Sequence, residues 1–267
     1  MPGSMLKVAS CMAENADATC RDIVRYIGEK LDLPTQFVDD MPWEQREQLF
    51  DSGEIHLCWL CGLPYVWKMD TGEPMIELCA VPVMGHARYR NSPVYFSDVV
   101  VHCDSRFDTF EDLRGASWAY NERRSHSGYN VVRHYLSQLG ERSGYFGRVI
   151  ESGAHQASLR MIIDGEIDAS AIDSTVLEAE LRRDPALGTR IRIIDSMGPS
   201  PMPPWVVHKN VPVQLRTSIA QILHQMHGDP DGIGILRQWG ISHFANAEHS
   251  SYAAIREMAA RATEVAL

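Results

Sequence analysis

Apolar residues recur along the chain with two periods, and the two periods alternate. Leu6–Ser10 and Glu54–Leu60 have the short apolar runs of buried strands. Ala18–Leu31 and Tyr129–Leu139 carry apolar residues at helical spacing. Because strands and helices alternate, we expect an α/β fold with mostly parallel sheets and helices on both faces. The last part of the chain is predicted to consist of the helices Val213–Met226, Gly232–Trp239 and Tyr252–Ala266.

Two irregular stretches interrupt this alternation. Residues 82–97 and 196–204 are rich in proline, glycine and serine, and they bracket a βαβ block of about a hundred residues. This pattern predicts two lobes: residues 1–96 and 196–267 form lobe 1, residues 97–195 form lobe 2, and hinge strands lie near 95–103 and 194–206. We expect a ligand cleft between the lobes.

Composition and charge narrow the classes of partner. The 267 residues are 45% hydrophobic and 22% charged, which is ordinary for a soluble globular protein. A net charge of -10 argues against nucleic acid and against an anionic membrane surface. No segment is long and apolar enough to span a bilayer, so we expect no membrane insertion.

The first residues bear on the compartment. Leu6 begins a core strand almost at once, and no charged and apolar leader precedes it. As the sequence stands, this predicts a cytoplasmic protein. Pro2, Gly3 and Ser4 are compatible with a cloning remnant ahead of Met5, and a periplasmic location follows if a leader has been removed.

The six cysteines are expected to be buried structural thiols. Cys58 and Cys61 have C-x-x-C spacing but end a strand rather than start a helix, so a redox motif is not indicated. A zinc site would need a second such pair or a paired histidine motif. We therefore predict no metal and no cofactor.

The polar segment Ser125-His126-Ser127-Gly128-Tyr129 stands between a short strand and a helix. A helix N-terminus leaves backbone N–H groups unpaired and carries partial positive charge, so it suits a phosphate-like or carboxylate anion. Ser125 and Ser127 are predicted ligand contacts, with simple helix capping as the alternative. His126 could donate to an oxyanion or turn outwards.

Two charged residues near this segment are further candidates. Arg124 could clamp an oxyanion, or be a solvated loop residue. Asp173 follows the strand Ala169–Ile172, at the strand end where open α/β sheets bind ligands. An aspartate facing an anion requires a shared proton or a ligand amine.

Several motifs in order resemble the phosphate/phosphite/phosphonate-binding branch of the type 2 periplasmic binding proteins, the solute receptors of ABC transporters. Ser125–Tyr129 matches the family's Ser-Thr-Ser-Gly-Tyr anion loop, with His126 in place of threonine. The further matches, which cover nearly the whole chain, are Gly53–Tyr65, Tyr95-Phe96-Ser97, Glu111–Gly115, Ser152–His155, Asp164–Ala169, His227–Gly232 and Trp239–Phe244.

The resemblance implies a two-lobe fold and a binding function. The chain would capture phosphate or an organophosphonate and present it to an ABC permease. It also implies that Tyr65, Tyr95, Ser97, Gly128 and His155 face the ligand. The alternatives are packing within a lobe for the tyrosines and a hydrogen bond to local backbone for His155 at the start of its helix.

Two other classes stay open. The chain could be a cytosolic enzyme, or a sensor whose closed form binds a regulatory protein. It contains no G-x-S-x-G, P-loop, G-x-G-x-x-G or H-E-x-x-H motif, and we name no catalytic residue.

Overall fold

Strands and helices alternate along residues 5–267, which the computed structural model describes. The strands are β1 (Leu6–Ser10), β2 (Thr35–Phe37), β3 (Leu57–Trp59), β4 (Ile76–Met84), β5 (Val94–His102), β6 (Ser117–Tyr120), β7 (Arg148–Glu151), β8 (Ala169–Asp173), β9 (Ile191–Pro201), β10 (Trp205–His208) and β11 (Ile241–Ala245). The α-helices are α1 (Asp17–Leu31), α2 (Trp43–Asp51), α3 (Gly62–Met69), α4 (Val131–Gln138), α5 (His155–Ile163), α6 (Ser174–Arg183), α7 (Val213–Gln225), α8 (Pro230–Gln238) and α9 (Ala253–Arg261). The interpretation of Pro2, Gly3 and Ser4 lies outside the described residues.

The chain divides into two units. Unit 1 comprises the described residues up to Val94 together with Pro201–Tyr252, and unit 2 comprises Tyr95–Ser200 and Ala253–Leu267. The sequence-based division has residues 253–267 in lobe 1, whereas the structure groups them with unit 2. The physical reason is that α9 packs against α4, and the Arg133 guanidinium donates to the carbonyl oxygen of Val265 at 2.6 Å.

Unit 1 contains a six-stranded sheet in the order β11-β4-β10-β3-β1-β2. β1 lies parallel to β2 and β3, because α1 and α2 return the chain to the same end of the sheet. β10 runs antiparallel to β3 and to β4, and β11 runs antiparallel to β4. The sheet is therefore mixed, with a parallel group of three strands extended by antiparallel ones.

Unit 2 contains a five-stranded sheet in the order β7-β6-β8-β5-β9. β6 is parallel to β7 and to β8, and β5 is antiparallel to β8. Side chains alternate between its two faces: Trp118 and Val101 pack in the cluster that contains α4, whereas Ala119 and Val100 pack in the cluster that contains α5 and α6. Helices thus cover both faces of this sheet.

Two segments differ from the sequence-based expectation. Ile241–Ala245 is the strand β11 between the last two predicted helices, where no strand was predicted, and it pairs with β4. β9 continues to Pro201 through the breaker-rich stretch that was predicted to be irregular. β9 ends the order of its sheet, and prolines are tolerated on such edge strands.

The cysteines carry no disulfide in the structure. Cys20, Cys58 and Cys79 are buried, and the Sγ atoms of Cys11 and Cys58 lie 3.6 Å apart at the ends of β1 and β3. None of the helices within residues 5–267 has both the length and the apolar composition needed to cross a membrane.

Candidate functional site

Three helices of unit 2 begin at one edge of its sheet. β7, β6 and β8 are adjacent and parallel, so their carboxyl ends meet at that edge. The chain leaves β6 towards the face covered by α4, and leaves β8 towards the face covered by α6. Neighbouring strands whose connections diverge in this way form a crevice, which is the usual ligand position in open α/β sheets.

Ser125 begins the helix that follows β6. Its Oγ accepts a hydrogen bond from the Gly128 N–H at 3.1 Å, and its carbonyl oxygen accepts one from the Asn130 N–H at 3.0 Å. The turn His126–Asn130 is therefore wider than an α-helical turn, and it continues directly into α4. Ser125 is a helix cap, as the alternative reading of the sequence has it, and a cap at this place can also face an anion.

Ser127 and His155 connect the starts of two helices. The Oγ of Ser127 lies 3.2 Å from Nε2 of His155, which is the first residue of α5. Both side chains are buried, and burial lowers the pKa of His155 to about 4. The imidazole is therefore neutral near pH 7, and the pair can share one proton without adding charge to the site.

Gly128 lies where a larger residue would not fit. A methyl group on its Cα would collide with Oδ1 of Asn121 and would lie 3.2 Å from Cε1 of His155. Among the described residues, that Asn121 Oδ1 is buried without a hydrogen-bond partner. Asn121 is a site residue that the sequence did not single out. The one feature of the sequence that could have pointed to Asn121 is its position directly after β6.

His126 points into the interior of unit 2. Its Nε2 lies 2.9 Å from the Oγ of Ser200, and its Nδ1 lies 3.1 Å from the amide nitrogen of Asn130. The ring is fully buried, and burial lowers its pKa to about 3. Of the two roles that the sequence left open, donation to an oxyanion or an outward orientation, this geometry matches neither.

Asp173 ends β8 and caps α6. Its Oδ1 accepts hydrogen bonds from the N–H of Thr175 at 2.8 Å, from the Thr175 hydroxyl at 2.7 Å and from the Val176 N–H at 3.4 Å. Burial raises the pKa of Asp173 to about 6, and the charge of Asp98 adds to the rise. Ser97 stands opposite Asp173 in the β5–β8 register. Within the described part of the chain, the buried Ser97 Oγ has no hydrogen-bond partner.

The remaining candidates lie at three different places. Tyr95 is buried, with its ring centroid 6.4 Å from that of His126. Arg124 is partly buried directly before the Ser125 cap. Tyr65 belongs to unit 1, where its ring packs edge-on against Tyr252 at 4.6 Å.

One group of possible metal ligands occurs among the described residues, and it lies outside this turn. The donor atoms of His102, Cys103 and Asp104, where β5 ends, lie within 4.8 Å of one another. His102 Nδ1 already accepts the Asp104 N–H at 3.2 Å.

Comparison with known families identifies the class of protein. Residues 11–252 match the model of a family described as ABC transporter, phosphonate, periplasmic substrate-binding protein. The chain belongs to this family. The resemblance seen in the motifs is thereby confirmed, and with it the substrate-binding class, its small-molecule ligand and its ABC permease partner. The family is periplasmic.

Solved structures share the fold at low identity. A binding-protein component of an ABC phosphonate transporter from Pseudomonas aeruginosa is 14% identical, with a TM-score of 0.84 over 98% of this chain and 87% of that one. PhnD1 from Prochlorococcus marinus, solved in complex with methylphosphonate, is 17% identical, with a TM-score of 0.83 over 98% of this chain and 99% of that one. A Xanthomonas citri protein bound to ATP is 14% identical, with a TM-score of 0.73 over 98% of each chain. These similarities confirm the type 2 periplasmic binding protein fold.

Proposed function

We propose that this chain binds methylphosphonate or a closely related phosphorus oxyanion at the turn Ser125–Gly128. The observation that carries this proposal is the buried polar start of the helix after β6, at the crevice between diverging connections. A helix start offers N–H donors and partial positive charge to an oxyanion. Family membership supports the ligand class, and the methylphosphonate bound to PhnD1 supports the choice of ligand.

Residues in and beside the turn have distinct tasks in this proposal. The Ser127 hydroxyl donates to a ligand oxygen, and neutral His155 orients that hydroxyl from 3.2 Å away. Gly128, which has no side chain, leaves room for the Asn121 amide beside the turn. Arg124 adds positive charge beside the Ser125 cap.

The next strand end supplies a second group of contacts. The Ser97 hydroxyl, which has no partner in the described part of the chain, can donate to another ligand oxygen. Asp173, with its raised pKa, can accept a proton from a monohydrogen oxyanion or from a ligand amine. Tyr95 would support the turn through the contact between its ring and that of His126.

The wider role follows the family. We propose that the chain works in the periplasm and delivers its ligand to the permease. The permease would then recognise the ligand-bound form of the chain. A regulatory protein that recognises the same form is the second candidate partner.

Calorimetry on the purified chain tests the ligand class. Methylphosphonate, phosphate, phosphite and 2-aminoethylphosphonate are titrated, with sulfate and acetate as matched anions. Binding also stabilises the folded chain: a ligand at hundredfold excess over its dissociation constant adds about 2.7 kcal/mol to the free energy of unfolding. We expect binding to phosphorus oxyanions alone. Equal binding of sulfate and acetate, or no binding, contradicts the proposal.

A second readout separates binding from catalysis. ³¹P NMR of the ligand after prolonged incubation with the protein should show the ligand unchanged. Loss of the ligand signal with formation of a new phosphorus species would favour the enzyme alternative.

A further inference from the structure

The buried imidazole of His126 is joined to two strands and to its own helix. Its Nε2 is 2.9 Å from the Oγ of Ser200 on β9, and its Nδ1 is 3.1 Å from the amide nitrogen of Asn130. Its ring also tilts against the ring of Tyr95 on β5, with 6.4 Å between centroids. One residue of the oxyanion-binding turn therefore contacts both β5 and β9.

These contacts fall where the chain enters and leaves unit 2. The chain passes from unit 1 to unit 2 between Val94 and Tyr95, and it returns between Ser200 and Pro201. Tyr95 and Ser200 are thus the first and the last residues of the larger of the two segments that form unit 2. His126 contacts both, and it directly follows the Ser125 cap.

The hydrogen-bond directions are fixed by the neutral ring. The Asn130 amide nitrogen can only donate, so Nδ1 accepts, and the remaining ring proton resides on Nε2. Nε2 then donates to the Ser200 hydroxyl. Burial lowers the pKa of His126 to about 3, so this arrangement is retained at neutral pH. Every polar atom of the ring has a partner.

We propose that His126 is a positioning residue that holds the turn Ser125–Gly128 against Tyr95 and Ser200. It thereby couples oxyanion binding to β5 and β9, the strands through which the chain enters and leaves unit 2. The inference rests on the proposed function. It assigns to His126 an effect on ligand affinity without contact with the ligand.

Two substitutions separate the two hydrogen bonds. In His126→Asn, the amide oxygen takes the place of Nδ1 and keeps the Asn130 bond, but the side chain is too short for Ser200. In His126→Gln, the amide nitrogen takes the place of Nε2 and keeps the Ser200 bond. Ser200→Ala removes the same bond from its other end, and it serves if His126→Asn fails to fold. Ser117→Ala is the control, because it removes the partly buried hydrogen bonds between the Ser117 hydroxyl and Asp168 at the opposite end of β6.

The experiment measures methylphosphonate affinity by calorimetry and the free energy of unfolding with and without ligand. We expect His126→Asn and Ser200→Ala each to weaken binding about threefold to tenfold, the range of one hydrogen bond. The double variant should be no weaker than either single one, because both remove the same bond. His126→Gln should retain most of the affinity, and Ser117→Ala should lower stability alone.

A purely structural role gives a different result. It would lower the stability of the free and the ligand-saturated protein equally and would leave the affinity at the wild-type value, which overturns the inference. Additive losses in the double variant would overturn it as well. If the wild-type chain binds none of the phosphorus oxyanions, the proposed function fails first, and the inference fails with it.

Discussion

The two units share a strand arrangement and differ in the chemistry at its edge. In unit 1, β2-β1-β3 form a parallel group that is followed by the antiparallel β10. In unit 2, β7-β6-β8 form the same group, followed by the antiparallel β5. The carboxyl ends of the parallel strands therefore meet at an equivalent edge in each unit.

The edge of unit 1 carries thiols and aromatic rings, together with the buried Ser10 hydroxyl, which accepts the Met12 N–H at 3.1 Å. The sulfurs of Cys11 and Cys58 lie 3.6 Å apart, and Trp59 stacks on Trp205 with 5.8 Å between ring centroids. α3 begins after Cys61 with no side-chain cap. The edge of unit 2 carries hydroxyls, imidazoles and a carboxylate. The topology provides the edge in both units, and the hydroxyl and imidazole donors of unit 2 are side chains that suit an oxyanion.

Two helix caps give the same contrast in electrostatic terms. Asp173 in unit 2 and Asp229 in unit 1 each accept N–H groups at the start of a helix. Burial raises the pKa of Asp173 to about 6, whereas a hydrogen bond from Lys30 lowers the pKa of Asp229. The capping hydrogen bonds favour the ionised form of both aspartates, so the opposite pKa shifts come from the burial of Asp173 and from the Lys30 partner of Asp229.

The largest expected effect comes from placing a charge in the turn of unit 2. Ser127→Asp puts a carboxylate beside the bound oxyanion and removes the hydroxyl donor. Two like charges at about 4 Å repel by about 4 kcal/mol at an effective dielectric constant of about 20, so affinity should fall at least about a hundredfold. Calorimetry with methylphosphonate measures it.

The matched control for this variant is Ser137→Asp. It places the same charge on the last turn of the same helix. We expect its affinity to stay at the wild-type value. A comparable loss in both variants would mean that net charge, and not the turn, governs binding.

The next effect uses the two capping aspartates and a pH series of urea unfolding. The folded pKa of Asp173 lies above its ordinary value of 3.8, so its stabilising contribution is complete below pH 3.8 and is lost as the pH rises through about 6. The loss is at most about 3 kcal/mol. Asp173→Asn keeps the cap and should therefore gain stability relative to the wild type over this range.

Asp229→Asn should give the opposite slope. The pKa of Asp229 is lowered, so its contribution is present above its ordinary pKa and is lost on acidification. The variant should be less stable than the wild type near pH 6, and the difference should shrink as the pH falls below 3.8. Parallel curves for the two variants would contradict the contrast between the caps.

A smaller effect is expected from Gly128→Ala. The new methyl group must displace the Asn121 side chain, which costs about 1–3 kcal/mol of unfolding free energy and weakens oxyanion binding. Gly234→Ala in α8 of unit 1 meets no atom within 4 Å, and it should stabilise the protein by up to about 1 kcal/mol. Thermal unfolding with and without methylphosphonate tests both. Equal changes in the two variants would show that Asn121 does not constrain the turn.

The smallest effect is expected at Tyr65. Tyr65→Phe keeps the ring contact with Tyr252, so stability should change by less than about 1 kcal/mol and methylphosphonate affinity by less than about threefold. A tenfold loss of affinity would instead mean that the Tyr65 hydroxyl reaches the ligand.

The fold could be predicted where local signals are strong. β1 has the bounds that the sequence indicates, because a clear apolar run defines it, and α1 begins one residue before its predicted start at Ala18. β11 and the end of β9 were not predicted. Their strand form comes from pairing with segments distant in sequence, which overrides their own composition.

The site shows the same limit. The turn around Ser125 follows from a strand-to-helix pattern, so the sequence can locate it. The hydrogen bond between His126 and Ser200 joins residues 74 positions apart, and a local sequence pattern cannot predict such a contact. The sequence did not identify Asn121 for a related reason, because its side chain comes close to Gly128 only in the folded turn.

The C-terminal helix α9 constrains how unit 2 can be isolated. Arg133 on α4 donates to the Val265 carbonyl oxygen, and Val265 and Leu267 pack in the same apolar cluster as Val131. A continuous fragment of residues 95–200 would expose this cluster to water and would be prone to aggregation. A minimal version of the unit must therefore carry α9 through an engineered linker, and a fluorophore at Leu267 would report on unit 2.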